Sequence, residues 1–339
     1  MNVLVTGAAG YIGSHAVMRL LEDGHAVTGV DDLSRGNLGA VAALTPVGDF
    51  DFVEGDLGDT ALVEAALRRR EVELVMHFGA LAYVGESMEQ PLRYYRQNTA
   101  ASLGLLEAIE AAGVKRMVFS STCATYGEPS EEHVPISESC PQDPINPYGR
   151  SKLMVEHLLS DYAAMKRAKG EDFAYAALRY FNVAGAHRGG LVGEDHKPES
   201  HLIPICLEVA IGQREKITIF GTDYPTTDGT CIRDYVHVED LIDAHVTAMA
   251  ALEQGAELKY NIGIGRGYSV REVIDACRRV TGIDFPETEG TRRPGDPPAL
   301  YNDPTKVNND LGWSAKITDL DEIIATAWRW KQANPNGYA

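Results

Sequence analysis

Several features that would restrict the role of this protein are missing from its sequence. No apolar run in the 339 residues approaches the about 20 residues that a membrane-spanning helix needs. The first residues show no basic start, apolar stretch or cleavage site of an export signal. We also find no internal repeat and no low-complexity tail. The sequence therefore predicts a cytoplasmic protein without a membrane partner.

Cysteine and basic residues are both scarce. The five cysteines are scattered, odd in number and without metal-ligand spacing, which argues against a disulfide framework and fits a reducing compartment. Lys and Arg total 31 against 49 Asp and Glu, so the formal net charge of −18 argues against a nucleic-acid partner. The ten histidines show no metal cluster, and the sequence predicts no metal site.

The first 32 residues carry the most regular pattern of the chain. An apolar run, Asn2–Thr6, leads into a turn with the spacing G-x-x-G-x-x-G, and residues 14–21 then repeat apolar side chains at helical spacing. A second apolar run, residues 26–30, ends in Asp31 and Asp32. Strand, glycine turn, helix, strand and terminal acid in this order predict a dinucleotide site. The predicted contacts of this turn are Gly7, Gly10, Tyr11, Ile12 and Gly13.

The acids at the end of the second strand select the cofactor. Asp31 is placed to accept hydrogen bonds from the adenosine ribose, and its charge would repel a 2′-phosphate. The nearest basic residue, Arg35, lies four residues further along the chain. We therefore predict NAD, with Asp56 and Leu57 near the adenine. Small residues after the fourth strand let the cofactor lie close, and the predicted contacts there are Phe78, Gly79 and Ala80.

Strands and helices alternate through the first half, which predicts an α/β fold with a doubly wound, Rossmann-type parallel sheet. The further strands expected are 50–54, 74–78, 116–119 and 174–179, and the long helices are 94–112 and 146–166. The second half is interrupted by Gly- and Pro-rich loops at 184–200, 221–229 and 291–298, so we expect a smaller, irregular α/β substrate-binding domain. The predicted nucleotide-binding domain is 1–180 with 235–265 returning to it, and the substrate domain is 181–234 and 266–339.

Tyr148 and Lys152 open the second long helix at positions i and i+4, so their side chains leave the same helix face. A neighbouring ammonium and the positive ring of oxidised NAD would both favour the tyrosine phenolate as a base. Thr122 follows the fifth strand, where open α/β sheets bind their ligands. Its hydroxyl could hydrogen-bond the reacting oxygen. These three residues are the predicted catalytic set.

The sequence resembles the UDP-glucose 4-epimerases (UDP-galactose 4-epimerases) of the extended short-chain dehydrogenase/reductase family. The motifs that carry the resemblance are VLVTGAAGYIGSH, FVEGD, HFGALAYVGES, FSSTCATYGE, NPYGRSKLMVE, LRYFNVAGA, DGTCIRDYVHV and RRPGDPPA. The resemblance implies permanently bound NAD and reversible 4-epimerisation of UDP-glucose and UDP-galactose through a 4-keto sugar, in galactose metabolism. It also implies a homodimer formed through the two long helices.

Residue roles follow from the resemblance by position. Tyr148 would be the base, Lys152 would bind the nicotinamide ribose, and Thr122 stands where members carry Ser or Thr. Asn98 is a further expected cofactor contact. The residues expected to bind the UDP-sugar are Asn182, Leu202, Phe220, Arg233, Arg293, Asp296 and Leu300. Of these, Arg233 and Arg293 would hold the phosphates and Asp296 the uridine ribose. Without the family, Arg233 could equally pair with the adjacent Asp234.

Three alternatives remain open on the sequence. Related dehydratases and decarboxylases carry an acid soon after the threonine, whereas this chain has Cys123 and Ala124, which disfavours both. A 4-epimerase of UDP-xylose and UDP-arabinose would use the same catalytic residues. A non-catalytic NAD-binding sensor would need the glycine turn but not the intact catalytic set. Leu300 stands where some epimerases have tyrosine beside the sugar, so the substrate range is open.

Overall fold

A computed structural model describes residues 1–293 and 296–338. Pro294 and Gly295, in the predicted loop 291–298 and the RRPGDPPA motif, and Ala339, at the end of the predicted substrate domain, lie outside the described residues. The chain divides into two compact units. Unit 1 comprises residues 1–127, 142–179 and 242–260, and unit 2 comprises residues 128–141, 180–241 and 261 onward.

The regular elements alternate through most of the described chain. The strands are β1 (Asn2–Thr6), β2 (Ala26–Asp31), β3 (Phe50–Glu54), β4 (Leu74–His77), β5 (Arg116–Thr122), β6 (Ala174–Tyr180), β7 (Asn182–Ala184), β8 (Ile217–Phe220), β9 (Ile232–His237), β10 (Glu257–Ile262), β11 (Gly267–Ser269), β12 (Glu287–Gly290) and β13 (Ala299–Leu300). The helices are α1 (Tyr11–Glu22), α2 (Leu38–Leu44), α3 (Thr60–Arg69), α4 (Val84–Glu89), α5 (Pro91–Tyr94), α6 (Ala101–Ala112), α7 (Pro147–Ala168), α8 (Leu202–Ala210), α9 (Val238–Ala250), α10 (Val270–Thr281), α11 (Thr305–Leu311) and α12 (Leu320–Ala333).

Unit 1 is built on a sheet in which seven strands of the described chain pair in the order β10-β6-β5-β4-β1-β2-β3. The pairs β1–β2, β1–β4, β2–β3 and β4–β5 are parallel. The doubly wound, Rossmann-type prediction is therefore confirmed. The strand order reverses next to β1, and in such sheets ligands bind at the carboxyl ends of the strands at this point.

The core of unit 1 explains why its strands read as continuous apolar runs. Every residue of β4 and β6 is buried, as expected for strands whose two faces are both covered by helices. Side chains of α3 and α6 pack on β1, β4 and β5. The fully buried side chains of this core include Leu4, Met117 and Phe119 of the strands and Leu105 and Ile109 of α6. None of the helices in the described residues combines the length and the hydropathy that a membrane-spanning helix requires.

Two predicted boundaries in unit 1 differ from the structure. The expected helix 94–112 is interrupted, because a π-helical turn at Tyr95–Ala100 separates α5 from α6. The expected strand 116–119 continues as β5 to Thr122. Serine is not among the residues that favour strands, although threonine is, and Ser120, Ser121 and Thr122 are all buried within the sheet. Tertiary packing therefore overrides the local preference of the two serines.

Unit 2 contains a small sheet in which β9 pairs with β7, β11 and β13, and a separate parallel pair formed by β8 and β12. Its helices α8, α10 and α12 pack around a core of their own; its fully buried members include Cys206, Val273, Ile274, Ile323 and Ile324. The predicted return of residues 235–265 to the nucleotide-binding domain begins too early, because residues up to 241 belong to unit 2 and β9 pairs with strands of that unit. The later strand β10 does join the seven-stranded sheet.

The segment 128–141 also belongs to unit 2, although the predicted boundaries placed it in the first domain. The backbone N–H of Ile136 donates to the carbonyl of Tyr301 at 2.9 Å, and its carbonyl accepts from Asp303 at 2.9 Å. Asn261 donates from Nδ2 to the same carbonyl of Ile136 at 2.9 Å. These hydrogen bonds connect the segment to residues that are distant in sequence. No local sequence pattern indicates such contacts.

Candidate functional site

The turn between β1 and α1 has the geometry that a bound dinucleotide requires. Gly7 has a left-handed backbone with φ +67°, and a Cβ there would lie 2.7 Å from the backbone nitrogen of Gly79. A Cβ on Gly13 would collide with the carbonyl oxygen of Gly7. Gly10 is the N-cap of α1 and no side chain caps the helix start. The first-turn amides at the positive helix end are therefore suited to a pyrophosphate.

Asp31 lies at the end of β2, next to this turn. Its carboxylate accepts hydrogen bonds from the backbone N–H groups of Ala9 at 3.0 Å and Leu33 at 2.8 Å. Burial raises the pKa of Asp31, and the two N–H groups only partly offset this effect. Arg35 donates to Glu86 at 2.6 Å, so this guanidinium already has a carboxylate partner. The arrangement fits an adenosine ribose and disfavours a 2′-phosphate.

The other predicted cofactor residues follow the carboxyl ends of β3 and β4, at the same sheet edge as the glycine turn. Asp56 accepts from the N–H of Gly58 at 2.8 Å, and the N–H of Gly79 donates to Oγ1 of Thr6 at 3.1 Å. The remaining predicted contacts at these two strand ends are Leu57, Phe78 and Ala80. Parallel pairing of β1 through β4 thus brings together residues that are far apart in sequence.

Asn98 lies on the π-helical turn and is buried. Its Oδ1 accepts from the N–H of Leu81 at 2.8 Å, and its Nδ2 donates to the Leu81 carbonyl and to Oγ of Ser151, each at 3.0 Å. Asn98 therefore connects the loop after β4 to helix α7. Both polar atoms of its side chain, Oδ1 and Nδ2, thus form hydrogen bonds within the protein, next to the predicted cofactor position.

The predicted catalytic set comes together at the end of β5. Thr122 is the last residue of that strand, and its side chain is hydrogen-bonded to the hydroxyl of Tyr148 in the first turn of α7. One turn further along α7, Lys152 donates from Nζ to the carbonyl of Ser120 at 2.8 Å. Thr122 Oγ1 also accepts from the N–H of Ala124 at 3.1 Å. A phenol, a hydroxyl and an ammonium thus share one location in unit 1.

Burial controls the protonation of these groups in the chain. It raises the pKa of Tyr148 to about 12, although the hydrogen bond from Thr122 lowers it somewhat. It also lowers the pKa of Lys152 to about 7. Tyr94 packs edge-on against Tyr148 with ring centroids 6.4 Å apart, and Leu81 completes the apolar contact. The protein alone therefore does not favour the phenolate, because desolvation raises the pKa; the effect of the positive nicotinamide ring stays a prediction.

A buried ionic network behind the catalytic set was missed by the sequence analysis. Glu156 accepts from Nη2 and Nε of Arg179 at 2.6 and 2.9 Å, and from Oγ of Ser121 at 2.5 Å. Arg179 also donates from Nη1 to the Tyr126 hydroxyl at 2.8 Å. The side chains of Glu156 and Arg179 are 2% and 4% exposed. The sequence signal that could have indicated this network is the four-residue spacing of Tyr148, Lys152 and Glu156, which places Glu156 on the same face of α7 as the catalytic residues.

The residues predicted to bind phosphate and ribose lie in unit 2. Arg233 is ion-paired with Asp296, and its side chain is largely buried. The guanidinium of Arg293 lies over the Phe220 ring, 4.1 Å from the centroid. The alternative pairing of Arg233 with Asp234 is wrong, because Asp234 accepts from three backbone N–H groups instead. Burial raises the pKa of Asp234 to about 6 despite those bonds.

Strand β9 collects most of the other predicted sugar-nucleotide residues. Asn182 is the register partner of Tyr235, to whose hydroxyl its side chain is hydrogen-bonded. Leu300 is the register partner of Arg233 in the pairing of β13 with β9. Leu202 begins α8 and packs on the unit 2 core. The structure therefore links Asn182, Arg233 and Leu300 through one strand and places Leu202 on a helix.

A second cluster of ionisable residues, Glu194, His196, Glu199 and His201, occupies the loop before α8. The four donor atoms lie within 4.8 Å of one another, a grouping that the sequence analysis did not identify. Burial opposes the charge on His201, but the carboxylates of Glu194 and Glu199 raise its pKa to about 10. Burial likewise opposes the charge on Glu194, and the two histidines lower its pKa to about 2.

Comparison with known proteins identifies the family. Residues 3–263 match the NAD dependent epimerase/dehydratase family. The chain belongs to this family. It is 48% identical to the probable UDP-arabinose 4-epimerase 3 of Oryza sativa subsp. japonica, over 99% of this chain and 84% of that protein. It is 47% identical to the UDP-glucose 4-epimerase of Lactobacillus helveticus, over 100% of this chain and 99% of that protein.

A solved structure extends the comparison to three dimensions. The UDP-glucose 4-epimerase of Bifidobacterium longum, in complex with NAD+ and UDP, superimposes with a TM-score of 0.94 at 38% identity, and each chain is covered completely. The glycine turn, the acid at the end of β2 and the Tyr–Lys pair are thus found in a chain whose family is NAD-dependent. The geometry of unit 1 fits that cofactor.

Proposed function

We propose that this protein is an NAD-dependent 4-epimerase that interconverts UDP-glucose and UDP-galactose through a transient 4-keto sugar. The observation that carries the proposal is the hydrogen bond between Tyr148 and Thr122 at the end of β5, with Lys152 one turn away. These groups lie in the unit whose β1–α1 turn fits a dinucleotide. The Lactobacillus helveticus relative, which is named for the same reaction, supports the choice of substrate.

Tyr148 is assigned the transfer of the proton at the sugar C4 hydroxyl. Thr122 hydrogen-bonds the same oxygen and holds the phenol in position, and Lys152 binds the nicotinamide ribose. When bound, oxidised NAD supplies a hydride acceptor and a positive charge. That charge is needed because burial keeps the pKa of Tyr148 at about 12 in the protein alone. General acid–base catalysis requires this pKa to approach the working pH.

The nucleotide is assigned to residues of unit 2. Arg233 and Arg293 are suited to the pyrophosphate because a guanidinium can form two parallel hydrogen bonds with phosphate oxygens. In the protein alone Arg233 is held by Asp296 and Arg293 by the Phe220 ring, so both cations are already positioned. Strong binding of the nucleotide, remote from the reacting carbon, would retain the keto sugar while it turns.

A UDP-pentose 4-epimerase is the second candidate, and a specific observation favours it. The relative from Oryza sativa subsp. japonica, named a probable UDP-arabinose 4-epimerase, is 48% identical over 99% of this chain. A pentose lacks the C6 hydroxymethyl group, and the catalytic set would be the same. A non-catalytic NAD sensor is disfavoured because Thr122, Tyr148 and Lys152 are all present and close together.

A homodimer, a role in galactose metabolism and a cytoplasmic location complete the proposal. Helices α5, α6 and α7 would form the dimer contact. Leu92, Leu103 and Met154 on these helices are large apolar side chains that are 80%, 45% and 44% exposed. Exposed apolar side chains grouped on neighbouring helices are typical of protein–protein contacts.

The test uses purified protein without added NAD. UDP-galactose and UDP-xylose are incubated separately, and the products are separated by anion-exchange chromatography and identified by NMR. Formation of UDP-glucose, at a kcat/KM above that for UDP-xylose, supports the hexose assignment. A preference for UDP-xylose would reassign the substrate to the pentose pair. No product from either substrate, with NAD present in the folded protein, would favour the sensor.

A further inference from the structure

The second cluster lies in unit 2, in the loop between β7 and α8. Its four side chains are the two carboxylates Glu194 and Glu199 and the two imidazoles His196 and His201. Nδ1 of His201 lies 3.0 Å from Oε1 of Glu194 and 2.9 Å from Oε1 of Glu199. Nδ1 of His196 lies 3.1 Å from Oε1 of Glu194 and 3.8 Å from Oε2 of Glu199. Each imidazole therefore faces both carboxylates.

The four side chains share their contacts rather than forming two separate His–Glu pairs. A single N–H on His201 Nδ1 faces two carboxylate oxygens at nearly equal distances, and Oε1 of Glu194 is approached by two ring nitrogens. Two imidazoles and two carboxylates whose ligand atoms lie within 4.8 Å of one another supply the nitrogen and oxygen ligands that are typical of a zinc site.

The distances match a small divalent metal. Zn²⁺ binds imidazole nitrogen and carboxylate oxygen at about 2.0–2.2 Å in tetrahedral sites, which places neighbouring ligand atoms about 3.3 Å apart. The four N···O distances of the cluster range from 2.9 to 3.8 Å. The wider spacing that Ca²⁺ requires, with six to eight oxygen ligands, does not fit two imidazoles. The charge of the two carboxylates balances a dication, which would replace the proton that His201 carries in the metal-free chain.

Hydrogen bonds from the surrounding chain hold Glu199 and the two residues that flank Glu194. Oε1 of Glu199 accepts from the backbone N–H groups of Ser200 at 2.7 Å and His201 at 2.8 Å. The start of the cluster is fixed from both sides, because the N–H of Gly193 donates to the Tyr338 hydroxyl at 2.9 Å. Tyr338 in turn donates from its N–H to Asp195 at 3.0 Å. Hydrogen bonds of this kind orient metal ligands and raise metal affinity.

We propose that Glu194, His196, Glu199 and His201 bind one Zn²⁺ ion in a structural site. Four protein ligands leave no open position, which distinguishes structural from catalytic zinc sites. The side chains of Glu194, Glu199 and His196 are 9%, 4% and 18% exposed, so three of the ligands are largely shielded from solvent, whereas the His201 side chain is 42% exposed. The ion would fix the loop to the start of α8. The proposal does not depend on the proposed function, because metal content is measured without substrate.

The test measures zinc binding directly. The full-length protein is stripped with a chelator, dialysed and titrated with ZnCl₂ by calorimetry, with metal content measured by mass spectrometry. We expect one equivalent per chain and a higher Tm with zinc, since a ligand that binds only the folded state stabilises it. H196A and E199Q should each weaken the affinity by more than about 100-fold. No stoichiometric binding by the wild-type chain would overturn the proposal.

A matched control and a second probe keep the result unambiguous. H187A removes a histidine of the same loop, whose Nε2 lies 4.0 Å from Glu239, and should leave the zinc stoichiometry at one. If the cluster variants fail to fold by circular dichroism, Co²⁺ is added to the wild-type chain instead. Visible bands of tetrahedral cobalt without a thiolate charge-transfer band would support the site. A thiolate band, or unchanged affinity in folded E199Q, would place the metal elsewhere and overturn the assignment.

Discussion

Arg179 and Glu156 form a doubly hydrogen-bonded ion pair between the sheet and the catalytic helix, with N···O distances of 2.6 and 2.9 Å. Glu156 lies on α7 with Tyr148 and Lys152, and Arg179 lies on β6. Ser121 of β5 donates to the same carboxylate. These hydrogen bonds therefore connect α7 to β5 and β6. They fix the position of α7, and with it that of Tyr148, relative to Thr122 at the end of β5.

Removal of this carboxylate should destabilise unit 1 strongly. Breaking a buried ion pair by neutralising one partner leaves an uncompensated charge and costs about 3–5 kcal/mol. We expect Glu156→Gln to lower the free energy of unfolding by that amount at pH 7. Urea denaturation measures it. The control is Glu64→Gln, which removes an exposed i, i+4 partner of Arg68 and should cost less than about 0.5 kcal/mol. Equal effects of the two changes would refute the structural role.

The Glu156–Arg179 ion pair should also make the stability of the protein decrease as the pH falls. Burial opposes the charge on Glu156, but Arg179 and Ser121 outweigh it and lower its pKa. A carboxyl with a lowered pKa contributes stability that is complete above its unfolded-state pKa of about 4.3 and is lost as the pH falls through the folded value. The stability difference between wild type and Glu156→Gln should therefore narrow as the pH is lowered below about 4. A difference that stays constant to pH 3 would contradict it.

Replacement of Lys152 should reduce turnover much more than it changes the free energy of unfolding. Its buried ammonium is costly, since burial lowers its pKa to about 7, but it also satisfies the Ser120 carbonyl at 2.8 Å. In Lys152→Met the two effects oppose each other, and we expect the free energy of unfolding to change by less than about 1 kcal/mol. Turnover should fall at least about 100-fold. A stable variant with wild-type turnover would remove Lys152 from the mechanism.

Asp31 should select NAD over NADP. The purified protein is denatured, and the cofactor in the supernatant is separated by chromatography. We expect NAD, because a 2′-phosphate would face the Asp31 carboxylate while Arg35 is paired with Glu86. Asp31→Asn should raise the NADP fraction, whereas Glu54→Gln, at the register partner of Asp31 on β3, should not. NADP in the wild-type extract would overturn the role of Asp31.

Leu300 is predicted to widen the substrate range. Leucine is shorter than tyrosine and lacks its hydroxyl, so more space remains for an N-acetyl group at the sugar C2. We expect slower but measurable turnover of UDP-N-acetylgalactosamine. Leu300→Tyr should lower its kcat/KM relative to UDP-galactose by about 10- to 200-fold, the range for steric discrimination in apolar pockets. An unchanged ratio would mean that position 300 does not contact the sugar.

The sequence analysis predicted local geometry but not the features that depend on contacts between residues distant in sequence. The glycine turn, Asp31 and the Tyr148–Lys152 spacing are short-range patterns, and the structure preserves them. Burial sets the pKa of Tyr148 in the protein alone, and the Tyr–Lys spacing does not reveal its depth; the predicted effect of NAD on this pKa stays a prediction. The π-helical turn around Asn98 has no simple periodicity. The histidine and glutamate cluster was missed because its irregular spacing, from Glu194 to His201, matches no common metal motif.

The most direct test of the account is the replacement Tyr148→Phe. The variant keeps the ring that packs against Tyr94 and removes only the hydroxyl that bonds Thr122. The control is Tyr175→Phe, which removes a hydroxyl that donates to Glu257 elsewhere in unit 1. Conversion of UDP-galactose to UDP-glucose is measured at matched NAD content. We predict a loss of about 10²–10⁴-fold in kcat for Tyr148→Phe and near-wild-type turnover for Tyr175→Phe. Near-wild-type turnover by folded, NAD-containing Tyr148→Phe would contradict the assignment of Tyr148 as the base.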